Sequence, residues 1–278
     1  MAADTVRGVR KAGRYALLAV LAVVVLFPVY AVLLQALKSG PDAFDHPRSL
    51  LPVDLTLDTI RSAWRIGDLG HLMLNSLYVA IAVTIGVIIT SLLSAYAFAF
   101  LEFPGKKIVF ALFLATMLVP AEVTVVINQR TVDSLGWMNT YLALIVPSLG
   151  SMFGVFMVRQ VFMQIPGELR EAAALDGVGH LRFLWSVAAP LSRPTLGALG
   201  LFVFLGTWNA YLWPSQVITD EDHRTIQIGL EHLRTPTDIS KFNLVTGGLV
   251  VAAIPIFLML VVFQRQLVRG LTAGAVKG

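Results

Sequence analysis

Long apolar windows without charge alternate along this chain with short polar segments that carry nearly all of its charge. Residues 15–37 are uncharged between Arg14 and Lys38, 72–101 between His71 and Glu102, and 134–158 between Asp133 and Arg159. Residues 194–219 and 242–264 are likewise charge-free, and 108–128 is interrupted only by Glu122. A helix needs roughly 20 apolar residues to cross a hydrocarbon core of ~30 Å. The pattern therefore predicts an all-α, polytopic membrane protein with six transmembrane helices, at about 15–37, 74–100, 107–128, 138–159, 194–214 and 243–265. They form a single transmembrane domain over 1–278. The first run is too long for a signal peptide and lacks a small-residue cleavage site, so it reads as a retained span.

Between the fourth and fifth windows, residues 164–191 break the pattern with a charged island. Two short helices are expected there. Pro166 fits a first helical position, Glu168 suits the positive helix start, and Gly177 is a stop. A second helix is expected from about His180 to Ala189, with Pro190 and Pro194 ending it and starting the next element. Leu169, Ala172 and Ala173 share one face of the first helix, where two alanines let another surface approach closely. Taken singly, such a segment also fits an amphipathic loop helix lying on the membrane surface.

The spacing is more specific than either helix. Glu171-Ala172-Ala173, three residues, Gly177, nine residues and then Val187-Ala188-Ala189-Pro190 resembles the cytoplasmic coupling loop of permease subunits of ATP-binding-cassette (ABC) importers. The family usually has leucine before the proline, where this chain has Ala189. The similarity extends over nearly the whole chain and points to carbohydrate-uptake permeases of the maltose and glycerol-phosphate type, in particular the second of their two permease subunits. Its further carriers are Asn75-Ser76, Met117-Leu118-Val119-Pro120, the run from Trp208 to Pro214, and the tail 269–278. Many relatives have an acidic residue where this chain has Ala210.

The resemblance implies a type I ABC importer permease fold. It implies a heterodimer with a second permease, two ATPase subunits that bind ATP and Mg, and an extracytoplasmic binding protein that delivers the solute. No cofactor or metal is expected on this chain, and it is not expected to be an enzyme. The coupling residues it implies are Glu171, Ala172, Ala173, Asp176, Gly177 and Pro190. Leu271, Thr272 and Lys277 are implied as a tail reaching the ATPase dimer. The implied cargo is a sugar or related polyol, with glycerol 3-phosphate or a glycerophosphodiester as the alternative. Two rival classes are a secondary transporter, which would usually show more intramembrane charge and an internal repeat, and a membrane-embedded enzyme, which would need a catalytic pair within the spans where only Glu122 is available.

Charge supplies orientation. Thirteen of the 21 lysines and arginines fall in segments that are cytoplasmic if the N-terminus is inside, and eight fall outside. Both termini are then expected in the cytoplasm of a bacterial or archaeal cell, in its plasma (inner) membrane. Composition agrees: 56% hydrophobic, 14% charged, mean hydropathy +0.76. The pI near 9.5 follows from basic span flanks meeting anionic lipid, without a nucleic-acid partner. The absence of cysteine excludes disulfides and thiolate metal sites.

No Gly-rich phosphate loop, His-Glu-x-x-His or Gly-x-Ser-x-Gly occurs. None of the five histidines pairs at metal-ligand spacing on a span, and solvated or capping roles fit them. For a solute path, the polar and aromatic side chains interrupting apolar segments are Glu122, Asn128, Trp208, Asn209 and Tyr211. Rings of Trp208, Tyr211 and Trp213 suit sugar stacking or, equally, an interfacial aromatic belt. Glu122 sits at membrane depth or just outside it, with Asn128, Gln129 or Arg130 as neighbours.

Overall fold

The computed structural model describes residues 2–39, 46, 49–51, 54–234 and 242–272. In chain order its helices are α1 (Ala2–Leu37), α2 (Asp58–Ile66), α3 (Leu69–Phe100), α4 (Lys106–Thr116), α5 (Ala121–Ser134), α6 (Tyr141–Ser148), α7 (Met152–Phe162), α8 (Gly167–Leu175) and α9 (His180–Leu191). They continue with α10 (Arg193–Trp208), α11 (Leu212–Val217), α12 (Ile226–Leu233) and α13 (Phe242–Thr272). Among the described residues no strand forms, and Lys38 and Leu55 make an isolated antiparallel bridge.

Among the described residues, three helical stretches, Gly13–Leu37, Leu69–Phe100 and Asn243–Gln264, are long and apolar enough to cross a membrane. Two bent pairs raise the number to as many as five: α6 with α7, at 41°, and α9 with α10, at 82°. The expected continuous third span, 107–128, is instead two helices broken at 117–120. Pro120 has no N–H to continue the ladder, and its φ of −59° and ψ of 133° are extended. Leu118 in the break is 84% exposed.

The chain divides into two compact units. In the first, residues 1–70 and 229–254, Lys38 is fully buried yet satisfied: its Nζ donates to the carbonyls of His46 and Ser49, both at 2.9 Å. Thr59 Oγ1 donates to Lys38 O at 2.8 Å, tying the start of α2 to the end of α1. Gly247 and Gly248 give α13 its close seat, since added Cβ atoms would meet Thr59 O at 3.1 Å and the Leu230 side chain at 2.6 Å.

The second unit, residues 71–228 and 255–278, is organised around α3. Val79, Val83 and Val87 pack with Val132, Ala143, Leu144, Val217 and Ile228 toward one end. Leu92, Ala95 and Tyr96 pack with Val158, Phe162, Phe183, Leu184 and Leu199 toward the other. Association of helices within lipid depends on close backbone approach rather than hydrophobic gain. Gly154 of α7 supplies it, because a Cβ there would lie 2.3 Å from Ser91 Oγ and 3.2 Å from a Leu199 methyl. Gly154→Leu is therefore expected to destabilise the packed unit by about 1–3 kcal/mol. Thermal inactivation of the assembled complex in detergent measures this, and an unchanged midpoint would contradict the close approach.

Candidate functional site

The charged island folds as the two short helices expected of it. Pro166 is the N-cap of α8, with φ −56° and ψ 136°, rather than its first helical residue. At the other end Gly177 takes φ +73°, and the N–H of Val178 returns to Ala173 O at 2.8 Å. That left-handed closure costs glycine little and a side chain about 1–2 kcal/mol.

Pro190 does not end the second helix, which runs on to Leu191. Its ring has no N–H and crowds the carbonyl four residues back, and a π-turn at Leu184–Ala188 absorbs the conflict. The corner into α10 is sealed by buried Ser192, whose Oγ donates to Ala188 O at 2.9 Å.

Three cations take up the last carbonyls at one end of α3, and the one from the loop, Arg170, ties the loop to it. Arg170 Nη1 donates to Phe100 O at 2.8 Å, Arg159 Nε to Phe98 O at 3.2 Å, and Lys106 Nζ to Leu101 O at 2.7 Å. A helix C-terminus leaves these carbonyls unpaired and partly negative, so three cations from three segments suit it. The Arg159 guanidinium also lies 4.2 Å from the Phe110 ring centroid. Tyr96 Oη and His180 Nδ1 share a hydrogen bond of 2.9 Å, joining α3 to the start of α9.

The expected common face of α8 divides. Ala173 packs against the apolar cluster, whereas Leu169 and Ala172 are exposed. Glu171 and Asp176 are also exposed, with Asp176 at the C-cap. Leu175 is 90% exposed, and Leu181 and Trp185 add further exposed apolar surface. Leu271 and Thr272 close α13, and Lys277 lies outside the described residues.

The opposite end of α3 carries a polar staple. Asn75 Nδ2 donates to the carbonyls of Asp222, at 2.7 Å, and Arg224, at 3.0 Å, while its Oδ1 accepts from Tyr141 Oη at 2.8 Å. Ser76 Oγ accepts the Ile226 N–H at 2.7 Å. Asn139, at φ +59°, accepts from the N–H groups of Thr219 and Asp220. These bonds hold residues 219–226 against α3 and the turn that precedes α6. Asn75 and Ser76 had no assigned role in the sequence, and their paired polarity at the opening of an apolar window was the signal for one.

The solute-path candidates scatter. Glu122 is exposed in the first turn of α5. Asn128 is exposed and donates to Thr124 Oγ1 at 3.4 Å. Asn209 caps α10 through Leu205 O at 2.8 Å, and Tyr211 is exposed. Trp208 is 1% exposed and stacked on Phe204 at 5.9 Å, so its ring is committed to packing. Trp213, in contrast, lines a cavity, with its Nε1 held by Ala143 O at 3.0 Å. Among the described residues no cluster of acidic or histidine side chains is placed to hold a metal.

Long apolar helices and a helical loop tied to one end of α3 describe a membrane-embedded component. The family model for the binding-protein-dependent transport system inner membrane component matches residues 82–272, and the chain belongs to that family. It is a multi-pass permease component of an ABC importer and not an enzyme. The chain is 33% identical over 254 residues to the sn-glycerol-3-phosphate transport system permease protein UgpE of Yersinia pestis, covering 89% of this chain and 90% of that protein. The UgpE protein of Brucella abortus (strain 2308) is 35% identical over 257 residues, covering 90% and 91%. In fold the chain is similar to a solved bacterial ABC transporter involved in the import of the acidic polysaccharide alginate. The TM-score is 0.82 at 21% identity, over 95% of this chain and 97% of that one.

Proposed function

We propose that this chain is one of two permease subunits in an importer for a sugar or related polyol handed over by an extracytoplasmic binding protein. The second permease forms a heterodimer with it, and two ATPase subunits carry the ATP and Mg. Relatives named for sn-glycerol-3-phosphate transport favour a polyol phosphate as the specific second reading of the cargo. In this scheme the chain crosses the inner membrane six times, the broken 107–128 segment included, and both termini are cytoplasmic.

The single observation that carries the coupling assignment is the exposed apolar surface of α8 and α9, led by Leu175. Such surface on a loop outside the spans suits a partner's groove. The segment 164–191 is that coupling loop. Glu171, Ala172, Ala173, Asp176, Gly177 and Pro190 shape it, and Leu271, Thr272 and Lys277 add a tail contact. Glu122, Asn128, Asn209 and Tyr211 remain candidates for the solute path, with Trp208 acting through its packing.

Copurification of this chain with an ATPase subunit, and stimulation of that ATPase by the loaded binding protein, test the reading. Orientation is checked separately by impermeant thiol labelling, which the cysteine-free sequence makes unambiguous. Ser49→Cys is expected to label from outside in intact cells and Ala174→Cys is not. Outside labelling of Ala174→Cys would overturn the topology and the coupling loop together.

A further inference from the structure

At the end of α10 remote from the charged loop, the second unit holds a half-open cavity of about 220 Å³. That is room for several waters, or for a small polyhydroxylated molecule in their place. Its polar lining consists of the hydroxyls of Ser76, Ser148, Thr207 and Thr225. Flat faces come from Trp213 and Pro214, and Ala210 keeps one wall short. No charged side chain contributes.

The hydrogen bonding is unfinished. Thr225 is 5% exposed, and its Oγ1 has no partner in the protein. Ser76 Oγ accepts from Ile226 N at 2.7 Å, which leaves its own proton to donate. Ser148 Oγ donates to Leu144 O at 3.0 Å and keeps its lone pairs. The indole of Trp213 is immobilised by its bond to Ala143 O. Unspent donors and acceptors around a fixed ring match the faces and edges of a polyhydroxylated molecule. No cation lines it, so nothing here offsets the hydration a phosphate would lose on entering.

We propose that this cavity is a subsite for the uncharged, hydroxyl-bearing part of the transported solute, with Ser76, Ser148, Thr207 and Thr225 as hydrogen-bonding groups and Trp213 as the stacking face. The inference rests on the polyol-importer reading. It puts Trp213 in place of Trp208 as the stacking ring and adds four hydroxyls to the solute path.

The test uses the whole importer in proteoliposomes, with sn-glycerol 3-phosphate and maltose as separate probes. Thr207→Val and Ser148→Ala are each expected to lower uptake per ATP hydrolysed about tenfold, the usual scale for one lost hydrogen bond to a bound hydroxyl. Thr207→Ser is expected to restore it. Ala210→Leu, which fills the cavity, is expected to abolish uptake. A lone cysteine from Ala210→Cys should react with a small thiol reagent about tenfold more slowly in the presence of the transported probe. Copurification with the ATPase shows which variants assemble, and near-isosteric Thr207→Val decides if Ala210→Leu does not. Wild-type uptake of neither probe would overturn the polyol reading and the subsite with it. Wild-type uptake with unaltered variants and unprotected Ala210→Cys would overturn the subsite alone and leave a water-filled space.

Discussion

Gly177→Leu is expected to abolish uptake by the assembled importer while leaving solute binding to the free binding protein unchanged. The glycine sits at φ +73° in the closure of α8, and an added Cβ would meet nothing within 4 Å. The penalty is therefore conformational, about 1–2 kcal/mol, and acts on the local turn rather than on the packed bundle. A turn of that cost opens or re-forms elsewhere, and Leu175, two residues earlier, swings away from its presented position. Gly177→Asn, which tolerates the left-handed region, is expected to retain much of the uptake. Gly179→Leu is the matched control: Gly179 has ordinary dihedrals, φ −70° and ψ 165°, and open space around it. Uptake by a well-expressed Gly177→Leu variant equal to that of Gly179→Leu would remove the conformational argument.

Much of this architecture can be read from periodicity. The windows at 15–37, 74–100 and 243–265 fall within α1, α3 and α13, because one continuous apolar helix satisfies every backbone group without help from tertiary structure. Interrupted spans are harder to read. Apolarity over 107–128 fits one helix as well as two, and the break hangs on Pro120 alone. In the same way the 82° corner between α9 and α10 depends on Ser192 filling a buried bend, a tertiary event with no sequence period.

The charged island was legible through part of its punctuation: Pro166 and Gly177 mark the two ends of α8 by covalent geometry, whereas Pro190 lies inside α9. Its attachments were not. Arg159, Arg170 and Lys106 appear in the sequence only as basic flanks, and Tyr96 as one ring in an apolar window. Their meeting at α3 depends on three separate chain segments arriving at one helix end. Trp208 shows the opposite limit. A tryptophan near a span end reads as stacking platform, interfacial anchor or packing, and only its burial against Phe204 separates these.

The clamp on α3 carries the second large effect, a loss of coupling rather than of assembly. Arg170 joins α8 to the Phe100 carbonyl, and the Tyr96–His180 bond joins α9 to the same helix a turn earlier. A displacement of the loop is thus delivered to α3 through two polar links and the apolar cluster beneath them. An exposed, charge-assisted hydrogen bond contributes about 1 kcal/mol, within the ordinary range of a coupling free energy. Arg170→Ala is expected to lower uptake per ATP hydrolysed about fivefold, and Tyr96→Phe to act similarly. The double variant should fall short of the product of the two, since both report one rigid connection. Arg170→Lys keeps the charge but shortens the reach, so partial recovery is expected. ATP hydrolysis should continue in all of them, because the exposed surface around Leu175, proposed as the docking face, is untouched. If hydrolysis and uptake fall together in strict proportion, the clamp serves assembly of the loop and not transmission through it.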